Sequence, residues 1–390
     1  MTISAVDPRS VGLNEDALAH FDASVQADID GGRNFGASII IARGGKIGHR
    51  KTYGTVAPER PTADDDRFLM MSLSKSFTAA LVLRAIDQGR FTLDTRVCDI
   101  LPGFGTGGKQ HVTVRMLLTH TGGTYPGLAP LPPLTLPEWG NLEKAVAAIG
   151  AQPAAFTPGT RCYYNSMGGI SVLGQMLVAT DPAGRSFRTI AKVDLFDPLG
   201  MTDSSYGIAA NDPRRVPVSQ TENFRGPAFP QMVALLDAIS HGDAEVPPGG
   251  AHATADDTFR FADALRRKGN NGESRLISPA LFDYAARNHT GDMLNGATEF
   301  ATEGEGRPPF RANFSLLGGY ARDKGHFLTA MGFTASERAF CAVGGASTMW
   351  MVDPARDLTF VFLSAGFIEG LAHFDRLSRL SDLALAACEG

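Results

Sequence analysis

Two pairs of strand-like segments lie at opposite ends of this 390-residue chain, and they constrain its fold more than any other feature. Near the start, Ala37–Ala42 and Lys46–Tyr53 are joined by Gly44-Gly45, a glycine pair typical of a tight hairpin turn. Near the end, Ser347–Val352 and Leu358–Ser364 flank a second turn. Hairpins pair their strands antiparallel. We therefore expect one antiparallel sheet that takes strands from both ends of the chain.

Helices and loops are predicted for the rest of the chain. Helical spacing marks residues 12–30 and 369–387 at the ends and, in the middle, 113–119, 141–150, 168–179, 231–240, 256–268 and 278–287. The predicted fold class is α+β, an antiparallel sheet flanked by helices. We expect one domain built from residues 1–90 and 311–390, a mainly helical domain inserted at 91–310, and an active site at their interface.

The composition and the N-terminal sequence argue against nucleic-acid binding, a membrane span and secretion. The chain is 43% hydrophobic and 20% charged, which is ordinary for a soluble globular enzyme. Its net charge of -5 and the lack of a basic run argue against nucleic acid as a partner. No apolar run approaches the ~20 residues that span a membrane, and the N-terminus lacks the pattern of a secretory signal. We expect a cytoplasmic protein with four free cysteines, while its oligomeric state stays unknown.

The candidate nucleophile is Ser72, in the only Ser-x-x-Lys sequence of the chain. Lys75 follows it by three residues at the start of a predicted helix, and residues three apart share one helix face. A serine becomes a strong nucleophile only when a neighbouring group takes its proton. Ser72 and Lys75 are therefore predicted to lie side by side and to react together.

A tyrosine is a candidate partner for this pair. The segment Pro158–Gly168 contains two adjacent tyrosines. A tyrosine acts as a general base only if its pKa falls well below the usual value of about 10. A cationic Lys75 nearby would lower that pKa by favouring the phenolate. The alternative is a buried aromatic side chain whose hydroxyl is satisfied by the protein.

A pair of glycines is the second candidate partner. Val343-Gly344-Gly345-Ala346 precedes a predicted strand. Acyl transfer needs backbone N–H groups aimed at the developing oxyanion. Adjacent glycines let a substrate approach a strand edge closely, although a simple glycine bulge is the alternative.

Taken together, these segments resemble the serine β-lactamase and penicillin-binding-protein superfamily, whose motifs include Ser-x-x-Lys and Lys-Thr-Gly. The closest resemblance is to the class C β-lactamase-like branch, which includes the family VIII carboxylesterases. Further matching segments are Leu117–Gly123, Leu195–Thr202, Pro248–Asp256 and Trp350–Pro354. The resemblance covers about residues 15 to 385.

The resemblance implies a role for each motif residue. Ser72 would be the acylated nucleophile, and Lys75 would shuttle its proton or hold the charge of the tyrosine. Tyr164 would be the base, at the first position of the Tyr-x-Asn motif of the family. The oxyanion hole would be formed by the backbone N–H groups of Ser72 and Ala346.

The tyrosine motif departs from the family pattern. After Tyr164 the chain reads Asn165-Ser166, so a serine stands where the family has asparagine. Tyr163 begins a Tyr-x-Asn sequence one residue too early, and the spacing from the preceding Pro-Gly favours Tyr164. Asn165 and Ser166 are expected to contact the substrate.

The third motif departs further, because Val343 replaces the lysine that faces the carboxylate of a β-lactam in the lactamases. Family VIII esterases similarly replace this box. Val343, Gly344 and Gly345 are expected to bind substrate, as is Tyr125 at the start of the proline-rich stretch at 124–137. Such a stretch is either a lid or wall of the site or a plain surface connection.

The expected function is therefore a serine hydrolase that cleaves small carboxylic esters through an acyl-enzyme on Ser72. β-Lactam or amide hydrolysis, acyl transfer, and a binding protein with a decayed site are the alternatives. We expect no cofactor, and no metal site because the nine histidines show no ligand spacing.

Overall fold

The computed structural model describes residues 2–125, 134–219, 235–307, 309–323, 329–345, 347–367 and 371–389. The strands are β1 (Gly36–Arg43), β2 (Lys46–Ala57), β3 (Arg60–Pro61), β4 (Phe68–Leu69), β5 (Ser205–Tyr206), β6 (Ala251–Ala253), β7 (Tyr320–Ala321), β8 (Phe340–Gly344), β9 (Thr348–Asp353) and β10 (Leu358–Ala365). The helices are α1 (Glu15–Asp30), α2 (Ser74–Asp87), α3 (Val97–Ile100), α4 (Val114–Leu118), α5 (Leu142–Ala151), α6 (Gly168–Ala179), α7 (Phe187–Ala191), α8 (Ala255–Arg266), α9 (Pro279–Ala285), α10 (Gly296–Gly304) and α11 (Leu371–Ala386).

A seven-stranded antiparallel sheet forms the centre of the molecule. Its strand order is β3-β2-β1-β10-β9-β8-β7, so the first and last thirds of the chain meet where β1 pairs with β10. Gly44 and Gly45 close the first hairpin with φ angles of 61° and 77°, which a glycine adopts without steric cost. The predicted α+β fold with an antiparallel sheet is confirmed.

The sheet is covered on both faces, which explains the unbroken apolar run of β1. Ile39 and Ile41 face one core, which they share with α1 and α11. Ile40 faces the opposite core, which it shares with α2 and α8. Successive strand residues point to opposite faces, so a strand buried on both sides is apolar at every position.

A second sheet of three short strands, in the order β4-β6-β5, was not predicted from the sequence. In it, Phe68 pairs with Ala253 and Leu69 with His252. Segments of two or three residues are too short to show a hydrophobic period. This small sheet matters because β4 leads directly into the turn that carries Ser72.

The predicted helices of the middle region are found at 114–118, 142–151, 168–179, 255–266 and 279–285. The helix predicted at 231–240 falls partly outside the described residues. Helix α8, from the segment expected to form the inserted domain, packs on β9 and β10 of the large sheet. The division of the chain into two domains stays a prediction. None of the helices in the described ranges has the length and apolar character needed to cross a membrane.

Candidate active site

Ser72 lies in a single 3-10 turn, Met71–Leu73, between β4 and the start of α2. The turn begins with Met71 at a φ of 48°, in the left-handed region that a side chain rarely adopts. The serine itself stays partly exposed to solvent.

Lys75 occupies the first turn of α2 and is only 1% exposed. Its Nζ lies 3.0 Å from the Ser72 Oγ, and donates to the carbonyl oxygens of Ser166 at 2.8 Å and Pro248 at 3.1 Å. The two carbonyls can only accept hydrogen bonds, so they take two N–H groups of the amine. When the amine is neutral, its lone pair therefore faces the Ser72 hydroxyl.

The electrostatic surroundings of Lys75 favour that neutral form. Burial lowers the pKa of the Lys75 amine to about 7, because an ammonium ion loses its hydration in the protein interior. Among the described residues, no carboxylate lies within 4.0 Å of Nζ to hold the proton in place. A substantial fraction of Lys75 is consequently unprotonated at neutral pH.

Tyr164 also contacts the Ser72 hydroxyl. Its hydroxyl donates to the Ser72 Oγ at 2.6 Å, and its backbone N–H donates to the Asn295 side chain at 2.9 Å. Tyr163 does not share this position, because its ring lies against Gly296. The geometry therefore brings Tyr164, and not its neighbour, to the nucleophile.

The pKa of Tyr164 shifts in the direction opposite to the sequence-based expectation. Burial raises it to about 12, and the hydrogen bond to Ser72 offsets only part of this rise. Its ring packs beside His120, with centroids 4.8 Å apart, and Phe314, with centroids 6.0 Å apart. The phenol is therefore protonated at neutral pH and acts as a donor toward Ser72 in the resting state.

His120 supports the tyrosine segment as a neutral acceptor. Its Nδ1 accepts the backbone N–H of Asn165 at 3.1 Å, and its φ of 57° places it at a left-handed turn after α4. Burial, assisted by the charge of Lys75, lowers the pKa of this imidazole to about 3. His120 therefore fixes the backbone next to Tyr164 and carries no charge at neutral pH.

Asn165 is buried and bonded to the neighbouring backbone. It is 4% exposed, and its amide nitrogen donates to Thr124 Oγ1 at 3.1 Å and to the carbonyls of Thr124 and Tyr125. Its side-chain oxygen accepts the N–H of Gly169 at 3.2 Å at the start of α6. The amide thus braces the start of the proline-rich stretch and of the helix, and substrate contact by Asn165 stays a prediction.

Ser166 and Tyr125, which were also expected to contact the substrate, each contribute a backbone carbonyl to the site. Ser166 contributes its backbone carbonyl to Lys75. Tyr125 is partly exposed and contributes its carbonyl to Asn165, while most of the proline-rich stretch, residues 126–133, lies outside the described residues. Substrate contact by the side chains of Ser166 and Tyr125 stays a prediction.

The third motif lies beside the nucleophile segment. A Cβ on Gly344 would lie 2.2 Å from the Met70 carbonyl oxygen, so only glycine lets β8 come this close. Gly345 is exposed and Val343 is partly exposed at the end of the strand. Ala346, the expected second oxyanion donor, lies outside the described residues.

Two contributions to the site were not recognised in the sequence. The Pro248 carbonyl, which binds Lys75, belongs to a segment matched to the family, but a backbone acceptor leaves no residue signature. Asn295, which positions Tyr164, has no sequence signal at all. In the part of the chain that the structure describes, no group of His, Cys, Asp and Glu side chains is arranged to hold a metal ion.

Comparison with known proteins identifies the family of this chain. The profile of the family described as Beta-lactamase matches residues 21–383. Esterase EstB of Burkholderia gladioli is 28% identical over 329 residues, which covers 75% of this chain and 80% of the relative.

Two solved structures share the fold. A penicillin-binding protein homolog from Caulobacter crescentus superposes with a TM-score of 0.75 at 22% identity, over 96% of this chain and 99% of the other. A family VIII carboxylesterase superposes with a TM-score of 0.72 at 20% identity, again over 96% and 99%. The chain belongs to the beta-lactamase family, a family of serine hydrolases on one fold that includes esterase relatives of this protein.

Proposed function

We propose that this protein is a serine carboxylesterase that forms an acyl-enzyme on Ser72. One observation carries the proposal: the Ser72 Oγ lies 3.0 Å from the Lys75 amine and 2.6 Å from the Tyr164 hydroxyl. The first group has a pKa near neutrality and the second remains protonated. Ser72 is thus in contact with both a base and an acid.

Acylation begins with the neutral form of Lys75. As the Ser72 oxygen attacks the ester carbonyl carbon, its proton passes to the Lys75 amine and the carbonyl oxygen becomes an oxyanion. Backbone N–H groups at the start of α2 and in the third motif stabilise that charge. This assigns the base role to Lys75, whereas the family resemblance assigned it to Tyr164.

The leaving alcohol needs a proton when the tetrahedral intermediate collapses. The Tyr164 hydroxyl supplies it as the carbon–oxygen bond breaks, and the Lys75 ammonium, whose Nζ lies 5.2 Å from the centre of the tyrosine ring, returns a proton to the phenolate. Both side chains end in their starting state. Water then attacks the acyl carbon, gives its proton to Lys75, and the same proton restores the Ser72 hydroxyl.

The preference for esters over β-lactams is supported by the third motif. Val343 offers no charge and no side-chain hydrogen bond to a substrate carboxylate, and charge-assisted hydrogen bonds are the strong ones. A neutral ester has no carboxylate to place there. The esterase names of the relatives described above point to the same substrate class.

The test is a panel of p-nitrophenyl esters of graded acyl length, with nitrocefin as the β-lactam substrate. We expect turnover of short-chain esters and no comparable turnover of nitrocefin. Faster cleavage of nitrocefin than of any ester would overturn the assignment in favour of a lactamase. Preferential transfer to an added alcohol over water would indicate an acyltransferase.

A covalent probe tests the nucleophile independently of the substrate. A fluorophosphonate should label Ser72, as located by peptide mapping, and should block ester turnover in the same proportion. Absence of an adduct on Ser72 would favour a binding protein on this fold.

A further inference from the structure

A second buried cation lies behind the third motif. Arg376, on α11, is 3% exposed. Its guanidinium donates to the Ser347 hydroxyl, to the Arg33 carbonyl at 2.8 Å and to Asn34 Oδ1 at 3.4 Å. Within the described ranges, no carboxylate lies within 4.0 Å of it. Burying a charge without a paired carboxylate lowers the stability of the fold. The role of Arg376 must therefore lie in the groups that it binds.

Ser347 is the residue on which these contacts converge. It is fully buried and has a φ of 63°, in the left-handed region. Its N–H donates to the Gly344 carbonyl at 3.0 Å, and its own carbonyl accepts the Ser364 hydroxyl at 3.1 Å. The first of these bonds closes the turn from Gly344 to Ser347, which follows β8.

His373, one helical turn before Arg376, holds the same turn. Its Nδ1 lies 3.1 Å from the Ser347 Oγ. Burial, followed by the charge of Arg376, lowers the pKa of His373 to about 3, so the ring is neutral. Helix α11 therefore binds Ser347 through two side chains, one permanent charge and one neutral ring.

The same turn also packs against the segment that carries Ser72. Gly344 approaches the Met70 carbonyl so closely that a Cβ there would lie 2.2 Å from it. The Thr348 hydroxyl donates to the same carbonyl at 3.1 Å. Met70 lies two residues before Ser72, so a displacement of the turn moves the backbone beside the nucleophile.

We propose that Arg376 and His373 form a clamp that, through Ser347, holds Gly344 and Thr348 against the Met70 carbonyl and so sets the backbone beside the Ser72 nucleophile. The inference rests on the proposed acyl-enzyme function. Both side chains act through Ser347, which makes them positioning residues. A displacement of about 1 Å at a reacting centre can cost about 10²-fold in rate.

The experiment compares Arg376→Met and Ser347→Ala with Ser381→Ala. Ser381 is a matched control because it lies on the same helix as Arg376, is as fully buried as Ser347, and bonds to the Ala330 carbonyl and to Met349 Sδ rather than to Ser347 or Gly344. The readouts are the rate of the acylation burst with p-nitrophenyl acetate, kcat and KM separately, and the thermal midpoint.

We expect Arg376→Met to slow acylation by about 10²-fold and Ser347→Ala by about tenfold, with KM changed less than threefold. Ser381→Ala should lower the thermal midpoint by a similar amount to Ser347→Ala but leave acylation within about twofold of wild type. Arg376→Lys should recover part of the loss, because an ammonium can still donate to the Ser347 hydroxyl. The double variant of Arg376 and Ser347 should be no slower than the slower single variant.

The outcomes separate the two proposals. If wild-type protein shows neither burst nor adduct on Ser72, the proposed function fails. If wild type turns over esters while folded Arg376→Met acylates within about twofold of it, the clamp is wrong. The clamp is also wrong if the acylation rates of Arg376→Met, Ser347→Ala and Ser381→Ala fall only in proportion to the decrease in their thermal midpoints. Should Arg376→Met fail to fold, the comparison of Ser347→Ala with Ser381→Ala decides.

Discussion

Lys75 and Arg376 are two buried cations in similar surroundings, and they differ in what they can do. Each binds one serine hydroxyl and backbone or amide oxygens, and neither has a carboxylate within 4.0 Å among the described residues. Burial lowers the pKa of Lys75 to about 7 and that of Arg376 to about 10. The lysine can release its proton at neutral pH, whereas the arginine cannot.

The comparison shows how one physical effect yields two roles. Burial penalises a charge wherever it occurs, but the free guanidinium starts from a much higher pKa than the free ammonium. The same penalty therefore makes a proton acceptor of Lys75 and leaves Arg376 a fixed donor. The predictions below test this difference, beginning with the serines that the two cations hold.

Ser72→Ala should have the largest effect. Removal of the nucleophile should reduce ester turnover below about a thousandth of wild type, since no other group forms the acyl-enzyme. The partly exposed position predicts an unchanged thermal midpoint. Steady-state assays with p-nitrophenyl acetate and a thermal scan check both, and a variant with most of its activity would contradict the mechanism. By contrast, Ser347→Ala is expected to lose only about tenfold.

Lys75→Arg replaces the ammonium of Lys75 with a guanidinium, the group that Arg376 carries. A guanidinium remains protonated, so it cannot take the Ser72 proton, and kcat/KM should fall by about 10²–10⁴-fold at every pH. The measurement is the pH profile of the variant between pH 5 and 10, with circular dichroism as a check on folding. Retention of more than about a tenth of wild-type activity at neutral pH would exclude Lys75 as the base.

Tyr164→Phe should reduce kcat by about 10²-fold, because the leaving alcohol loses its proton donor. Tyr163→Phe is the matched control: it removes the adjacent hydroxyl, and we expect less than about threefold change, since that ring lies against Gly296. Esters with better leaving groups should depend less on Tyr164. Equal losses in the two variants would show that Tyr164 has no special role.

The pH profile of the wild-type protein should have a rising limb near pH 7. Below the pKa of about 7, Lys75 is protonated and inactive, so kcat/KM should fall about tenfold per pH unit as the solution is acidified. Above that pKa the base is free, and the protonated Tyr164, with a pKa of about 12, adds no falling limb below about pH 10. Folded Arg376→Met should keep the rising limb at the same pH. If the rising limb shifts to another pH in Arg376→Met, the group that titrates is not Lys75.

Val343→Lys should have the smallest effect. It places a charge at the end of β8, where Val343 is partly exposed. For a substrate with a carboxylate, the ratio of kcat/KM to that for a neutral ester should rise by up to about fivefold, the range of a partly exposed ion pair. Val343→Met, of similar length without charge, is the control. An equal gain with Met would attribute the change to packing.

Much of the fold was predictable because its elements are long and their patterns local. Helix α1 begins at Asn14, whose side chain accepts the Ala17 N–H at 2.9 Å, as its capping character predicts. The apolar run of β1 and the paired glycines after it predicted the hairpin correctly. The two-residue strands β4 and β5 could not be predicted, because their pairing depends on a partner far along the chain.

The candidate site was predictable only where spacing along the chain fixes spacing in space. Ser72 and Lys75 are three residues apart at a helix start, so sequence alone placed them together. The bracing role of Asn165 could not be predicted, because its neighbours, Thr124 and Tyr125, come from another segment. His373 and Arg376 were not recognised, since the turn they hold becomes their neighbour only after the sheet forms.

By itself the sequence determined the antiparallel α+β architecture, the Ser72–Lys75 pair and the resemblance to one superfamily. Tertiary structure alone decided the proton chemistry. The carbonyls that bind Lys75 lie 91 and 173 residues further along the chain, and burial among them lowers its pKa. Charge, exposure and acidity depend on every group that packs around an atom, and those groups are assembled only when the chain is folded.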